Sequence, residues 1–319
     1  MVRHSLLAAT WLMFSATAGA AYPERPIRIL VPFPAGGNVD ITARTVAPGM
    51  STQLGQSVII DNRGGAHGTI AAEIVQKAAR DGYTLMLTSS GMLAIAPALG
   101  QKLTYDVVKD FTPIGAINNV PLLMVVHPSS PGASVREFIA SAKSRPGRIA
   151  MATNGAGSTP DLAGALFQTL TGTKLNAVPY KGSGPAQIDL AGGQVEVYFD
   201  QLSAAIGFVT SGKTRALAVL AKARVAQLPD VPTIAEAGVP GCEASTFTGL
   251  LAPAGTPREI IQRLNAAVNG ALRTTAVKET FARLAAQTLE GTPEDLARLM
   301  RDETAKWAEV VRAAGIKAE

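Results

Sequence analysis

Short β-rich runs recur along this chain with Ala-rich helical stretches between them, and that alternation limits the fold more than any other feature. The runs are Ile27-Arg28-Ile29-Leu30-Val31, Val58-Ile59-Ile60, Thr84-Leu85-Met86-Leu87, Leu122-Leu123-Met124-Val125-Val126, Ile149-Ala150-Met151-Ala152, Val195-Glu196-Val197-Tyr198-Phe199 and Ala216-Leu217-Ala218-Val219-Leu220. Between them, residues 70–79 and 161–170 carry apolar side chains at helical spacing. Strands alternating with helices predict an α/β fold with mainly parallel sheets. From Thr256 onward the pattern turns helical. Thr256-Pro257-Arg258-Glu259 and Thr292-Pro293-Glu294-Asp295 each offer a Thr N-cap, Pro at the first helical position and acid in the first turn. The last helix carries Leu296, Leu299, Met300, Trp307 and Val310 along one stripe. The strands fall into two groups, which predicts two lobes. Residues 110–121 carry the chain across and residues 244–253 bring it back. Lobe 1 is then 21–121 with 246–319, and lobe 2 is 122–245.

Composition narrows the class. The 319 residues are 47% hydrophobic and 17% charged, which excludes a disordered polymer. Aromatics are only 5%, so Ala, Val, Leu and Ile must build the core. A single cysteine, Cys242, excludes an internal disulfide framework and a cysteine-cluster zinc site, and three histidines leave little for a His-based metal site. The net charge is +5, yet no Lys/Arg run is dense enough for a nucleic-acid interface. The N-terminus has the three parts of a secretory signal: Met1-Val2-Arg3-His4, an apolar stretch over 6–16, and Ala18-Gly19-Ala20. It is too short for a spanning helix, which needs about 20 apolar residues. Residues 1–20 are therefore read as a cleaved signal peptide, and the mature protein as periplasmic. Export argues against ATP- or NAD-dependent chemistry, and no cofactor is expected.

Ligands of open α/β folds bind beyond the carboxyl ends of the strands. After the first strand comes Pro32-Phe33-Pro34-Ala35-Gly36-Gly37-Asn38-Val39-Asp40, a double glycine leading into a helix. Its free N–H groups favour an anion; a plain strand-to-helix turn with Asp40 near the helix start is the competing reading. The arrangement repeats in Asp61-Asn62-Arg63-Gly64-Gly65-Ala66-His67-Gly68, in Thr88-Ser89-Ser90-Gly91 and in Thr153-Asn154-Gly155-Ala156-Gly157-Ser158-Thr159. Converging loops of this composition make a pocket for a small carboxylate, held by neutral donors. Asp200 ends the run 195–199. It holds a ligand ammonium, orients a water or faces away, or else caps the helix beginning at Leu202.

Several signals imitate catalysis. Gly207-Phe208-Val209-Thr210-Ser211-Gly212-Lys213-Thr214 fits a phosphate-loop pattern, but the helix precedes it and the strand follows, the reverse of what that mechanism requires. No G-x-S-x-G elbow occurs. His67 lies in a glycine-rich loop that can line the cleft, and His127 stands at a strand end. Cys242 reads as a structural thiol.

The chain resembles the extracytoplasmic solute-binding proteins of tripartite tricarboxylate transporters, the Bug or TctC family. The resemblance runs from Tyr22 almost to the C-terminus. It rests on residues 32–37 with Asp40 and Ala43-Arg44, Asp61-Asn62-Arg63, Asp81-Gly82-Tyr83-Thr84-Leu85, Tyr105-Asp106 with Asp110-Phe111-Thr112-Pro113-Ile114, and Val178-Pro179-Tyr180-Lys181-Gly182. Further blocks are residues 212–219, Leu228-Pro229-Asp230-Val231-Pro232-Thr233 and Ala252-Pro253-Ala254-Gly255-Thr256-Pro257. The resemblance implies a two-lobed periplasmic binding fold of the type II, Venus-flytrap kind, with a hinge of two crossovers. It implies a small carboxylate held in the cleft by backbone and hydroxyl groups, partly through water. Carried over by position, the ligand residues are Phe33, Ala35, Gly36, Gly37, Asp40, Ala66, His67, Ser89, Ser90, Thr153, Asn154, Gly155, Ser158, Thr159 and Asp200. The implied partners are membrane transporter subunits; the chain itself is expected to be a monomer and not an enzyme. Departures from the family pattern are Gly64 where proline is common, His67 in place of glycine, Asp161 in place of histidine, and Phe247 near a usual tryptophan. A periplasmic sensor passing its closed state to a membrane kinase is the alternative function, and a hydrolase using Ser158 a third.

Overall fold

The computed structural model describes residues 22–130 and 132–313. The expected signal peptide lies outside them. In order, the elements are β1 (Ile27–Val31), α1 (Asn38–Leu54), β2 (Val58–Asn62), α2 (Thr69–Gln76), β3 (Thr84–Ser89), a wide turn at Gly91–Ile95 running into α3 (Ala96–Ala98), β4 (Phe111–Val126), α4 (Val135–Ser144), β5 (Ala150–Thr153) and α5 (Thr159–Thr171). Then come β6 (Asn176–Pro179), α6 (Ser183–Ala191), β7 (Val197–Gln201), α7 (Leu202–Thr210), β8 (Arg215–Val219), β9 (Ser245–Pro253), α8 (Arg258–Leu272), α9 (Thr275–Arg283), β10 (Gln287–Thr288) and α10 (Pro293–Ala313).

The strands join in the order β2-β1-β3-β9-β4-β7-β5-β6, with β8 and β10 also on β4. Parallel pairing holds in the outer part of each half, β2-β1-β3 and β7-β5-β6. The centre is antiparallel: β4 pairs with β9 from Phe111↔Pro253 to Pro121↔Ser245, and its far end pairs with β7 and β8. The two segments expected to carry the chain across and back are thus extended and paired. Pro113, Gly115 and Pro121 look like strand breakers in the sequence. The ladder accommodates the first two with register shifts at Pro113/Gly115, and it shifts again at Ala116/Asn118.

Alternating side chains send each strand's apolar residues to opposite faces. Ile29, Val31, Leu85, Leu87, Leu123 and Val125 join one core that runs across both halves beneath α1, α8, α6 and α7. On the opposite face, Leu30 and Met86 pack with α2 and the start of α10, whereas Leu122, Met124 and Val126 pack with α4 and α5. Helices on both sides explain why the strands read as near-continuous apolar runs. Helix α10 serves both far-face cores: Leu296 and Met300 enter the first and Trp307 the second. Its start is capped as expected, with Thr292 Oγ1 accepting from Asp295 N at 3.1 Å and Asp295 Oδ2 accepting from Thr292 N at 2.8 Å. The matching expectation for Thr256 fails. Its hydroxyl turns back to Pro253 O at 2.8 Å, and α8 starts after Pro257 without a side-chain cap. The phosphate-loop lookalike is the turn from α7 into β8.

Candidate functional site

Two strand-to-helix turns meet across the groove between the halves. The β1–α1 turn passes through Gly36 at φ +85°, and the β5–α5 turn through Gly155 at φ +86° and Gly157 at φ +78°. These left-handed positions let each chain reverse directly into a helix start. With the start of α6 they bring three helix N-termini to a cavity of about 50 Å³, lined by Gly37, Asn38 and Val39 from α1, Ser158, Thr159 and Pro160 from α5, and Gly182 and Ser183 from α6. That volume holds a few water-sized positions, so the halves stand close together.

Among the described residues, no Asp, Glu, Lys or Arg lines the cavity. Its polar groups are neutral: Ser89, Gln101, Asn154, Ser158, Ser183 and Gln201 among them, with His67 at one edge. Asn38 is the most informative. It is buried, its Oδ1 accepts from Ser203 Oγ at 2.8 Å, and its Nδ2 has no partner among the described residues. A buried donor left open is costly unless something fills it. Three helix starts, each contributing about 0.3–1 kcal/mol toward a negative charge, line the same cavity as Asn38. The arrangement suits a carboxylate.

Of the residues expected from the sequence, Phe33, Gly37, His67, Ser89, Asn154, Ser158 and Thr159 line this cavity, and Ala66 lines an adjoining one. The others stand behind it. Asp40 is buried and committed: Oδ2 accepts from Gly36 N and Oδ1 from Arg44 Nε, both at 2.9 Å. It ties the turn to α1, so the plain-turn reading describes it. Ala35 meets the start of α6, where a Cβ on Gly184 would lie 2.7 Å from its carbonyl oxygen. Ser90 Oγ shares a hydrogen bond with Thr159 Oγ1 across the groove at 3.2 Å. Thr153 Oγ1 accepts from Gly155 N at 3.3 Å, and Gly155 sits under the His67 ring. Ser158 Oγ accepts from Asp161 N at 3.3 Å and caps α5, the ordinary work of a helix-start serine.

Asp200 faces away from the cavity and supports it from beneath. The residue is fully buried, and its carboxylate accepts from Ser183 Oγ at 2.6 Å, Gln187 Nε2 at 2.8 Å and Gln201 N at 2.8 Å. Burial pushes its carboxyl up to about 6, against the pull of those donors. Ser183 Oγ in turn accepts from Asn154 Nδ2 at 3.3 Å, and Tyr198 OH donates to Asn154 Oδ1. Helix α7 takes no side-chain cap, so the helix-cap reading of Asp200 does not hold. Asn38, Gln101, Ser183 and Gln201 are cavity residues that loop reading passed over. Asn38 stands one residue beyond the double glycine. Ser183 follows β6, a short strand with little apolar signal.

The family model described as tripartite tricarboxylate transporter family receptor matches residues 42–316. Protein BugT of Bordetella pertussis is 42% identical over 313 residues, covering 96% of each chain. A solved R. palustris protein with adipate aligns with a TM-score of 0.89 and 40% identity, over 93% of this chain and all but 1% of that one, which is covered at 99%. MatC from Rhodopseudomonas palustris, solved with bound malate, aligns with a TM-score of 0.87 and 37% identity, over 91% of this chain and 100% of that one. The two-lobed fold is shared with solved periplasmic binding proteins. The chain belongs to the tripartite tricarboxylate transporter receptor family, the Bug/TctC solute-binding proteins.

Proposed function

We propose that this protein captures a small dicarboxylate in the periplasm and delivers it, unchanged, to the membrane subunits of a tripartite tricarboxylate-type transporter. The observation that carries the reading is the open Nδ2 of buried Asn38 among three helix starts, with no charged side chain in the wall. Such a cradle binds a carboxylate through neutral donors and leaves the ligand's body weakly specified. Relatives solved with adipate and malate supply the ligand class. The cavity is too narrow for a diacid as it stands, so entry needs the halves to part. The lobes are 21–121 with 246–319 and 122–245, turning where β4 and β9 pass between them. The closed, loaded form is the one presented to the transporter. An N-terminal signal peptide over 1–20 would place the protein in the periplasm, as a monomer.

Calorimetry and thermal shift against malate, succinate, adipate, citrate, benzoate and glutamate test this. Saturable heat with at least one diacid, together with a rise in melting temperature, is expected. No heat and no shift with any of them would sink it.

A further inference from the structure

The loop after β2 carries a side chain that the cradle leaves unexplained. Ala66 and His67 both adopt left-handed backbone, at φ 45° and 54°. That conformation is unfavourable for L-residues and tends to persist where a site depends on it. It sets the His67 ring across the groove on Gly155, where a Cβ would stand 2.4 Å from ring atoms Nδ1 and Cε1. The ring is exposed, and its nitrogens have no hydrogen-bond partner among the described residues.

His67 lines two chambers. The inner one is the cradle. The outer one is a cavity of about 190 Å³ that shares Phe33, His67 and Asn154 with it and adds Tyr180 and Lys181. Among the described residues, no Asp or Glu lines this outer chamber. The nearby Asp189 is turned onto Tyr180, accepting from its OH at 2.8 Å. Lys181 has no ion pair among the described residues. The inner chamber thus offers neutral donors, and the outer one offers an ammonium and an imidazole that are both uncommitted.

We propose that His67 and Lys181 form an outer anion subsite that takes the distal carboxylate of a diacid whose first carboxylate lies in the cradle. The inference rests on the carboxylate reading above. His67 comes from the first half of the molecule and Lys181 from the second. A distal carboxylate between them therefore bridges the halves, which an uncharged end cannot do with charge-assisted hydrogen bonds.

The test is calorimetry with succinate, glutarate, adipate and their monomethyl esters, which keep the length and remove one charge. The best diacid should bind about 30-fold more tightly than its half-ester. In a His67→Gly, Lys181→Met double variant that ratio should fall to about threefold or less. Glycine suits the left-handed position, so the variant keeps its fold. His67→Asn, which tolerates the same backbone and keeps a donor, should retain part of the ratio. A ratio that survives the double variant overturns the subsite. So does wild-type protein that binds diacid and half-ester equally, although the carboxylate reading then stands. Binding of neither would bring down both.

Discussion

The β1–α1 and β5–α5 turns solve one problem with different side chains. In each, a left-handed glycine donates its N–H to an aspartate four residues on: Gly36 to Asp40 at 2.9 Å and Gly157 to Asp161 at 3.1 Å. Each aspartate is the third residue of its helix, where acid also suits the dipole. At the cap the turns part. Ser158 closes α5 with its own oxygen, whereas Gly37 leaves α1 without a side-chain cap. At the first helical position, Thr159 is engaged with Ser90 across the groove, whereas Asn38 keeps Nδ2 open. The second half supplies a finished surface, and the first half supplies the unfilled donor. On the proposed reading, the first turn is the one that takes the ligand.

Asn38→Asp should break the comparison most severely. The acceptor for Ser203 stays, but a negative oxygen replaces the donor. Diacid affinity should fall by about a hundredfold or more, because like charges then face one another. Thr159→Val, at the equivalent position of the other turn, should cost about tenfold or less through the lost Ser90 contact. Calorimetry on both variants measures the difference. Equal losses would remove the distinction between the turns.

Asp200 provides the next largest effect. Its carboxyl ordinarily titrates near 3.8 and is pushed up to about 6 by burial. The folded state therefore holds the proton more tightly than the unfolded chain does. The stability this gives is present at low pH and is lost as pH rises through about 6. Asp200→Asn should be more stable than wild type at pH 8 by about 2–3 kcal/mol. The advantage should shrink toward pH 4. The amide can serve Ser183 and Gln201, and a flipped Gln187 can offer it the Oε1 that now has no partner. Urea titrations across pH check this, and a pH-independent difference would contradict it. Diacid binding should also tighten more from pH 8 to pH 6 in wild type than in the variant, since Asp200 sits just behind the cavity wall.

The smallest effects compare the two turn aspartates directly. Asp40→Ala removes the partner of both Gly36 and Arg44 from a buried position and should cost about 2 kcal/mol. Asp161→Ala should cost about 1 kcal/mol, because Ser158 still caps the helix. Denaturant midpoints measure both.

The strands that were legible carry branched or long apolar residues on both faces, as in 27–31 and 122–126, because helices cover both sides of the sheet. Strand β6, Asn176–Pro179, escaped notice because it is a short edge strand with little buried surface. The first eleven residues of β4 are not legible as a strand because they carry Pro113, Gly115 and Pro121, the first two absorbed by a register shift in the ladder with β9. In the site, glycines and hydroxyls located the right loops. Asn38 and Ser183 were missed because helix-start side chains show their aim only once the opposing half is in place. The resemblance places Asp40 and Asp200 among the ligand residues, yet both carboxylates are consumed by neighbouring donors. Sequence spacing cannot distinguish a carboxylate that faces a cavity from one that supports its wall.

A crystal structure of the protein with its tightest diacid tests the central claim most directly. The account predicts one carboxylate at the starts of α1 and α5, with an oxygen in hydrogen-bond reach of Asn38 Nδ2 and no lysine or arginine touching it. A diacid found instead in the apolar groove between α10 and residues 101–110, with Asn38 Nδ2 still unpartnered, would contradict it.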